Sequence, residues 1–246
     1  MDRIGVYDSG IGGLTTLGEI IKNLGGGNYV YLADNANAPF GCKEPEELYS
    51  IGRLGVSELI KLGCNYVVLG CNTMTTIKPL LEKAFPSIRF IGIEPAVLPA
   101  VRECCRVAVL ATPTTISSEK VQRLVEPYKA RVTCYPNSNL AGIIERLAPD
   151  FSTMDRYVEK TCGYLKDYDA VVLGCTHFVY LRETISKVFP HIKIYDGNEG
   201  VGKRVKELVG IGKGEEKVKI FTTDRGEENR YQKIFNEIYK KIKNGY

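Results

Sequence analysis

Short apolar runs rich in β-branched residues alternate along the chain with longer segments whose apolar residues recur at helical spacing. The apolar runs predict buried strands, and the periodic segments predict helices. The predicted strands include residues 29–32, 66–69, 88–91 and 107–110, and the predicted helices include residues 45–62, 153–165 and 227–242. Because strands and helices alternate, the chain is expected to form open, mostly parallel α/β sheets.

Part of this pattern occurs twice. The sequence Val-Val-Leu-Gly-Cys ends at Cys71 and again at Cys175, 104 residues later. A Phe-Pro-x-Ile segment begins at Phe85 and again at Phe189, at the same offset. A repeat of this length indicates duplicated structural units. We therefore predict two pseudo-symmetric α/β domains that face a shared cleft.

Several polar or reactive side chains stand where the predicted strands end. Asp8, Cys71, Thr112 and Cys175 each end or follow an apolar run. Ligands of open α/β sheets bind beyond the carboxyl ends of the strands. We therefore expect these four residues to line the cleft.

The composition argues against several classes of function. The 246 residues are 44% hydrophobic and 25% charged, as in an ordinary globular protein. The net charge of +4 comes from scattered residues and does not favour a nucleic-acid partner. No apolar run approaches the roughly 20 residues that cross a bilayer, and no signal-peptide pattern is present. We expect a cytoplasmic protein with no membrane partner.

The chain has eight cysteines, which in a reducing compartment favour reactive thiolates or metal ligands over disulfides. No Cys-x-x-Cys pair is present, so a zinc site is not expected. The other reading is that a free cysteine is a small buried apolar residue. For either of the two repeated cysteines alone we would favour that reading, but the matched pair favours catalysis. The remaining six are expected to be packing residues: Cys42, Cys64, Cys104, Cys105, Cys134 and Cys162.

Each repeated cysteine is expected to begin a helix, opened by Asn72-Thr73 after the first and by Thr176-His177 after the second. A helix N-terminus lowers a cysteine pKa from about 8.5 toward neutrality and also attracts a carboxylate. Inverting a stereocentre by proton transfer requires a base on one face of the carbon and an acid on the other. Two equivalent thiols on opposite sides of one ligand would supply both.

The chain resembles the glutamate racemase family within the aspartate/glutamate racemase superfamily. The resemblance is carried in order by residues 8–14 (Asp-Ser-Gly-Ile-Gly-Gly-Leu), by Cys-Asn-Thr at 71–73, by Ile-Glu-Pro-Ala at 93–96 and by Gly-Cys-Thr-His at 174–177. It implies a first domain of residues 1–97 plus 206–246 and a second of residues 98–205. Without the family, Asp8 is equally well explained as a helix cap or turn residue.

The resemblance implies that Cys71 removes the α-proton of the D-enantiomer and Cys175 that of the L-enantiomer, with no cofactor and no metal. Asp8 would assist Cys71, and His177 and Glu145 would assist Cys175. The candidate catalytic residues are thus Cys71, Cys175, Asp8, His177 and Glu145. The candidate substrate-binding residues are Asp8, Ser9, Pro39, Phe40, Gly41, Cys71, Asn72, Thr73, Thr115, Cys175, Thr176 and His177.

The chain departs from the family pattern at several positions. Phe40 stands where the family usually has a tyrosine whose hydroxyl binds the substrate's side-chain carboxylate, and Asn37 stands where arginine is common. A lost hydrogen bond to a charged group costs about 1.5 to 3 kcal/mol. Further departures occur at 196–198 and 134–140.

The resemblance implies interconversion of L- and D-glutamate, supplying D-glutamate for peptidoglycan, with a small amino acid as the partner and a possible homodimer. Two alternatives stay open. One is a racemase of the same family that acts on aspartate or another amino acid, because Phe40 lacks the hydroxyl. The other is a non-catalytic regulatory homologue.

Overall fold

The computed structural model describes residues 3–245; residues 1–2 and 246, which the predicted first domain includes, lie outside this range. Within it, nine strands form two parallel sheets. The strands are β1 (Arg3–Asp8), β2 (Gly27–Ala33), β3 (Tyr66–Leu69), β4 (Arg89–Gly92), β5 (Val107–Ala111), β6 (Val132–Pro136), β7 (Ala170–Leu173), β8 (Lys193–Asp196) and β9 (Glu216–Thr222).

The helices lie between the strands. They are α1 (Gly13–Leu24), α2 (Pro45–Lys61), α3 (Asn72–Thr75), α4 (Lys78–Ala84), α5 (Val97–Glu103), α6 (Pro113–Ser117), α7 (Glu119–Val125), α8 (Leu140–Leu147), α9 (Met154–Thr161), α10 (Arg182–Val188), α11 (Asn198–Val209) and α12 (Glu228–Asn244). Short 3₁₀ turns at Asn35–Asn37, Phe40–Cys42, Glu126–Tyr128, Gly163–Asp167 and Thr176–Leu181 complete the connections. In residues 3–245 no helix has both the length and the apolar character to cross a bilayer.

The two sheets repeat one strand order. The first runs β4-β3-β1-β2-β9 and the second, read in the matching direction, runs β8-β7-β5-β6. Each of the first four strands thus has a counterpart in the second sheet, and β9 is an added edge strand beside β2. The predicted α/β fold with two similar parallel sheets is confirmed. The domain boundaries at 97/98 and 205/206 stay a prediction.

The central strands are buried on both faces, which is why they read as continuous apolar runs. Every residue of β5 and β7 is buried, as is typical of parallel sheets covered by helices on both sides. The largest apolar cluster includes residues of both sheets, and α1 packs against both α11 and α12. We call the five-stranded sheet with its helices the first half and the four-stranded sheet with its helices the second half. The two halves therefore share part of their core.

Most predicted elements lie within two residues of their observed bounds, but one helix does not. The segment 153–165 is not one helix, because α9 ends at Thr161 and a 3₁₀ turn, Gly163–Asp167, follows. Cys162 leaves the helical conformation at φ −115° and ψ 18°, and the adjacent glycine disfavours helix continuation. Val158, Cys162 and Leu165 are nevertheless all buried, so the apolar positions of this segment do mark its buried face.

Candidate active site

The two thiols follow equivalent strands of the two sheets. Cys71 lies two residues after β3 and Cys175 two residues after β7, and each strand pairs with the first strand of its own half. Asp8 ends β1 and Thr112 follows β5, as expected for the carboxyl edges. All four side chains are buried.

Hydrogen bonds join the two edges directly. Thr176 Oγ1 of the second half donates to Asp8 Oδ2 of the first at 3.1 Å. Thr73 Oγ1 lies 3.0 Å from Thr112 Oγ1 and 3.4 Å from Thr115 Oγ1. The structure therefore brings the first-half and second-half candidates into one buried site.

The surroundings of Cys71 disfavour its thiolate. Burial raises the pKa of the Cys71 thiol far above its ordinary range, and the charges of Asp8 and Cys175 raise it further. The backbone N–H groups of Met74 and Thr73 lower it, but by less. The prediction that a helix end brings this pKa toward neutrality was wrong, because α3 spans only four residues and the site is buried.

The surroundings of Cys175 differ, because a histidine and a carboxylate lie beside it. His177 is hydrogen-bonded to Cys175, and its Nε2 donates to Glu145 Oε2 at 2.7 Å. Burial alone would lower the pKa of His177, but the hydrogen bonds and charges of Cys175 and Glu145 raise it well above its ordinary value. The expected α-helix after Cys175 is instead a 3₁₀ turn, Thr176–Leu181.

Glu145 lies in the second half and accepts hydrogen bonds from two donors of the first half. Its Oε2 accepts the backbone N–H of Ile11 at 2.9 Å, and its Oε1 accepts the hydroxyl of Tyr231 at 2.7 Å. Burial raises the pKa of Glu145, but His177 and these two donors outweigh it and the net pKa is lowered. The two pKa shifts thus favour a carboxylate at Glu145 beside a protonated His177.

Two of the three glycines of the first motif leave room for these second-half groups. A Cβ on Gly10 would lie 2.3 Å from Glu145 Oε2, and a Cβ on Gly12 would lie 2.5 Å from Thr176 Oγ1. Gly13 has the same constraint within its own half, where a Cβ would lie 2.7 Å from Asp8 Cβ. Side chains at these positions would clash with neighbouring groups, which explains why the motif is rich in glycine.

Asp8 and Ser9 are buried at the start of this loop. Asp8 Oδ1 accepts the N–H of Gly10 at 2.8 Å, which is the turn role that the sequence left open. Its other oxygen accepts the hydroxyl of Thr176. Burial raises the pKa of Asp8, although the charge of His177 and the N–H of Gly10 oppose it. The turn role and a place in the site thus occur together.

The expected side-chain subsite lies at a loop that touches the second half. Gly41 is buried and its carbonyl accepts the hydroxyl of Thr114 at 2.8 Å. Phe40 is buried with its ring centroid 6.2 Å from that of Tyr7. Pro39 is exposed, so it is the one candidate that the structure leaves at the surface. Asn37 donates to Asp34 Oδ1 at 2.8 Å and is thereby held within its own loop.

One polar atom in the site has no protein partner. In residues 3–245, Asn72 Oδ1 is buried without a hydrogen bond. A buried acceptor of this kind costs free energy unless a ligand or water satisfies it. Asn72 follows Cys71 directly, so this oxygen is available to a donor bound beside the thiol.

The chain is also similar to proteins that are already known. Residues 20–200 match the family model described as Asp/Glu/Hydantoin racemase. The chain belongs to this family. Over 98% of the chain and 100% of the relative, it is 38% identical to a glutamate racemase of Halothermothrix orenii. It is 36% identical to a glutamate racemase of Lachnospira eligens over 96% of the chain and 90% of the relative.

Among solved structures, the glutamate racemase of Francisella tularensis in complex with D-glutamate superposes with a TM-score of 0.81 at 23% identity, covering 97% of this chain and 94% of that one. This likeness shows the fold. The predicted family is therefore confirmed, and the chain is an amino-acid racemase, an isomerase.

The departure at Gly197-Asn198 from the family pattern has a local explanation in this racemase. A Cβ on residue 197 would lie 2.3 Å from the carbonyl oxygen of Glu94. Asn198 is buried between two threonines of α1: it donates to Thr15 Oγ1 at 3.1 Å and accepts from Thr16 Oγ1 at 2.7 Å. Gly197 therefore allows a close backbone contact between the halves, and the side chain of Asn198 links them by hydrogen bonds.

The other cysteines do not all pack as predicted. Cys64, Cys104 and Cys162 are buried and Cys134 is partly buried. Cys42 and Cys105 are exposed, so the packing prediction was wrong for these two. They lie in connecting segments, where chain position rather than side-chain polarity decides exposure.

The site is closed to solvent in this structure. Cys71 and Cys175 are each 5% exposed. A groove of about 1170 Å³ lies at the junction of the halves, with Thr15, Glu94 and Asn198 among its lining residues, but neither thiol lines it. A substrate therefore reaches the thiols only after some of the residues that bury them move.

Replacing Gly12 with alanine tests the close contact between the halves. The new Cβ would lie 2.5 Å from Thr176 Oγ1 and 2.6 Å from His177 Nδ1, so both must shift. Because misplacement by about 1 Å costs on the order of 100-fold, we expect racemase activity to fall roughly 100-fold. The measurement is kcat/KM together with circular dichroism to check folding.

The matched control is Gly200→Ala, where a Cβ on α11 has no atom within 4 Å. It should keep full activity. Equal activity of Gly12→Ala and Gly200→Ala would contradict the tight contact.

Proposed function

We propose that this chain interconverts L- and D-glutamate by proton transfer between the α-carbon and two opposed thiols, Cys71 and Cys175. The observation that carries the proposal is the burial of these thiols at equivalent strand ends of two sheets that meet at one site. Relatives named glutamate racemase support the choice of substrate.

For the L-enantiomer, the Cys175 thiolate takes the α-proton, and the Cys71 thiol gives its proton to the opposite face of the carbon. The product is the D-enantiomer, and thiol and thiolate have exchanged places. The D-enantiomer follows the same path in reverse, so no proton is lost or gained overall. General acid and base groups of this kind typically contribute about 10²- to 10⁴-fold each.

A protonated His177 would interact with both Cys175 and Glu145. Its positive charge beside Cys175 stabilises negative charge on that sulfur, and Glu145 holds the imidazolium in place. Within residues 3–245, the charges that act most strongly on Cys71 are anions. Asp8 raises the pKa of Cys71, so a substrate ammonium group bound to Asp8 would remove one cause that disfavours the Cys71 thiolate.

The remaining polar groups fit an amino acid. Asp8 and Ser9 would receive the ammonium group, and the hydroxyls of Thr73 and Thr115 would bind the α-carboxylate with Thr176. The unpartnered Asn72 Oδ1 would accept from a substrate donor. Cys175 and His177 would border the same ligand, and Phe40 and Gly41 would adjoin its side chain, with Pro39 behind them.

We further propose that the enzyme needs no cofactor or metal, acts in the cytoplasm and supplies D-glutamate for peptidoglycan. Its homodimer stays a prediction.

The direct test is incubation with L-glutamate, followed by chiral chromatography and loss of optical rotation. We expect D-glutamate to accumulate to an equal mixture. No conversion at any pH from about 7 to 9, a window that spans ordinary thiol titration, would reject the proposal.

A second candidate is a racemase of the same mechanism with another preferred amino acid. It is favoured by the buried Phe40, which has no hydroxyl for a side-chain carboxylate, and by Asn37, whose amide is bound to Asp34. A panel of amino acids that includes aspartate decides between the two.

Phe40→Tyr should improve the use of glutamate if that hydroxyl is what the subsite lacks. One hydrogen bond to a charged group is worth about 1.5 to 3 kcal/mol, so we expect kcat/KM for glutamate to rise roughly tenfold. The control is Phe85→Tyr, a partly buried phenylalanine against the same apolar cluster. If another amino acid is already fast in the parent and Phe40→Tyr raises glutamate turnover, the second candidate stands.

A further inference from the structure

The C-terminal helix α12 packs mainly in the first half, but one of its side chains contacts a catalytic candidate of the second half. Helix α12 packs on α1 and β9, beside the five-stranded sheet. Its Tyr231 is fully buried, and its hydroxyl donates to Glu145 Oε1, which lies on α8 in the other half, at 2.7 Å. This bond joins residues 86 positions apart.

The two carboxylate oxygens of Glu145 have different hydrogen-bond partners. Oε2 faces His177 and the N–H of Ile11, while Oε1 faces Tyr231. Arg230, next to Tyr231, donates to the backbone carbonyl of Glu145 and lies 3.9 Å from Oε1. The carboxylate is therefore fixed in rotation by a donor on each side, and helix α12 supplies one of them.

We propose that Tyr231 is a positioning residue for proton transfer at Cys175: its hydroxyl turns Glu145 so that Oε2 faces His177, which in turn contacts Cys175. This inference rests on the proposed two-thiol racemisation. Tyr231 and Ile11 belong to the first half and Glu145 to the second, so separation of the halves breaks both contacts. The pair of Glu145 and His177 is thus held by first-half donors while the two halves are in contact, as they are in this structure.

The surroundings of Cys71 differ from those of Cys175. The charges that act most strongly on the pKa of Cys71 are the anions of Asp8 and Cys175, and both raise it. Loss of the Tyr231 hydroxyl should therefore slow one of the two proton transfers. A racemase has an equilibrium constant of one, so kcat/KM must fall equally in both directions, and the asymmetry has to be read from isotope effects.

The test is Tyr231→Phe, which keeps the buried ring and removes the hydroxyl. We expect kcat/KM to fall about tenfold in both directions, which corresponds to about 1.4 kcal/mol of barrier. With α-deuterated L-glutamate the isotope effect on kcat/KM should rise, because transfer to Cys175 becomes more rate-limiting. With α-deuterated D-glutamate it should fall.

The control is Tyr239→Phe on the same helix, whose hydroxyl donates to the exposed Glu216. It should change neither isotope effect. Loss of activity in Tyr231→Phe with both isotope effects unchanged would mean only a smaller active fraction, and it would overturn the proposal.

A double-mutant cycle gives a second readout. In a Glu145→Gln background, Tyr231→Phe should cost far less than in the parent, because the group it positions is already altered. Additive losses would overturn the inference. If the parent racemises no amino acid, the proposed function itself fails; if the parent is active and Tyr231→Phe equals it, only this inference fails.

Discussion

Replacing Cys175 with alanine should abolish racemisation, with a loss of at least about 1000-fold, since a general acid and base typically contributes about 10²- to 10⁴-fold. Any α-proton exchange that remains in deuterium oxide should be confined to D-glutamate, because Cys71 still faces that enantiomer. Replacing Cys71 with alanine should give the opposite pattern, with residual exchange confined to L-glutamate. The measurement is proton NMR of each pure enantiomer.

Cys162→Ala is the matched control, because Cys162 is a buried cysteine in the apolar core away from the two strand ends. It should keep activity within about twofold. Exchange of both enantiomers by either single active-site variant would contradict the assignment of one thiol to each face.

His177→Asn should lower kcat about 100-fold, at the lower end of the usual contribution of an acid/base group. The substitution removes the cation beside Cys175 and leaves Glu145 without its 2.7 Å partner. The chain has one other histidine, the exposed His191, and His191→Asn should leave activity unchanged. Equal activity of the two variants would show that His177 does not assist Cys175.

The same pair should shape the pH dependence of stability. The pKa of His177 is raised in the folded state, so its contribution is complete below its unfolded pKa of about 6.5 and is lost as pH rises through the folded value. The pKa of Glu145 is lowered, so its contribution is complete above about 4.3 and is lost as pH falls. The pair therefore stabilises most between about pH 4.3 and 6.5.

Urea unfolding at pH 6 and pH 9 tests this dependence. The parent should lose more free energy of unfolding across that range than His177→Asn does. Parallel changes in the two proteins would contradict a raised His177 pKa.

The repeat made the architecture predictable. Val-Val-Leu-Gly-Cys occurs at both β3 and β7, and runs that are apolar throughout occur only where strands are covered on both faces. Because parallel strands end at one edge of a sheet, the placement of Asp8, Cys71 and Cys175 followed from the order of elements.

What sequence reasoning missed depends on contacts between distant segments. Tyr231 reads as one more apolar position on the predicted helix 227–242, and only the packing of α12 brings its hydroxyl to Glu145. The pKa of Cys71 was mispredicted because burial cannot be read from a helix start. One feature of the sequence did indicate such contacts. The glycines of Gly10-Ile11-Gly12-Gly13 have no side chains, so other groups can approach this backbone closely.

The claim that two sulfurs act from opposite faces of one carbon is tested most directly by following unlabelled L-glutamate with the parent enzyme in deuterium oxide at early times. We expect the D-glutamate that is formed to carry one solvent deuterium at the α-carbon, while the remaining L-glutamate carries none. D-glutamate that retains the original hydrogen, or deuterium that enters both enantiomers at the same initial rate, would contradict it.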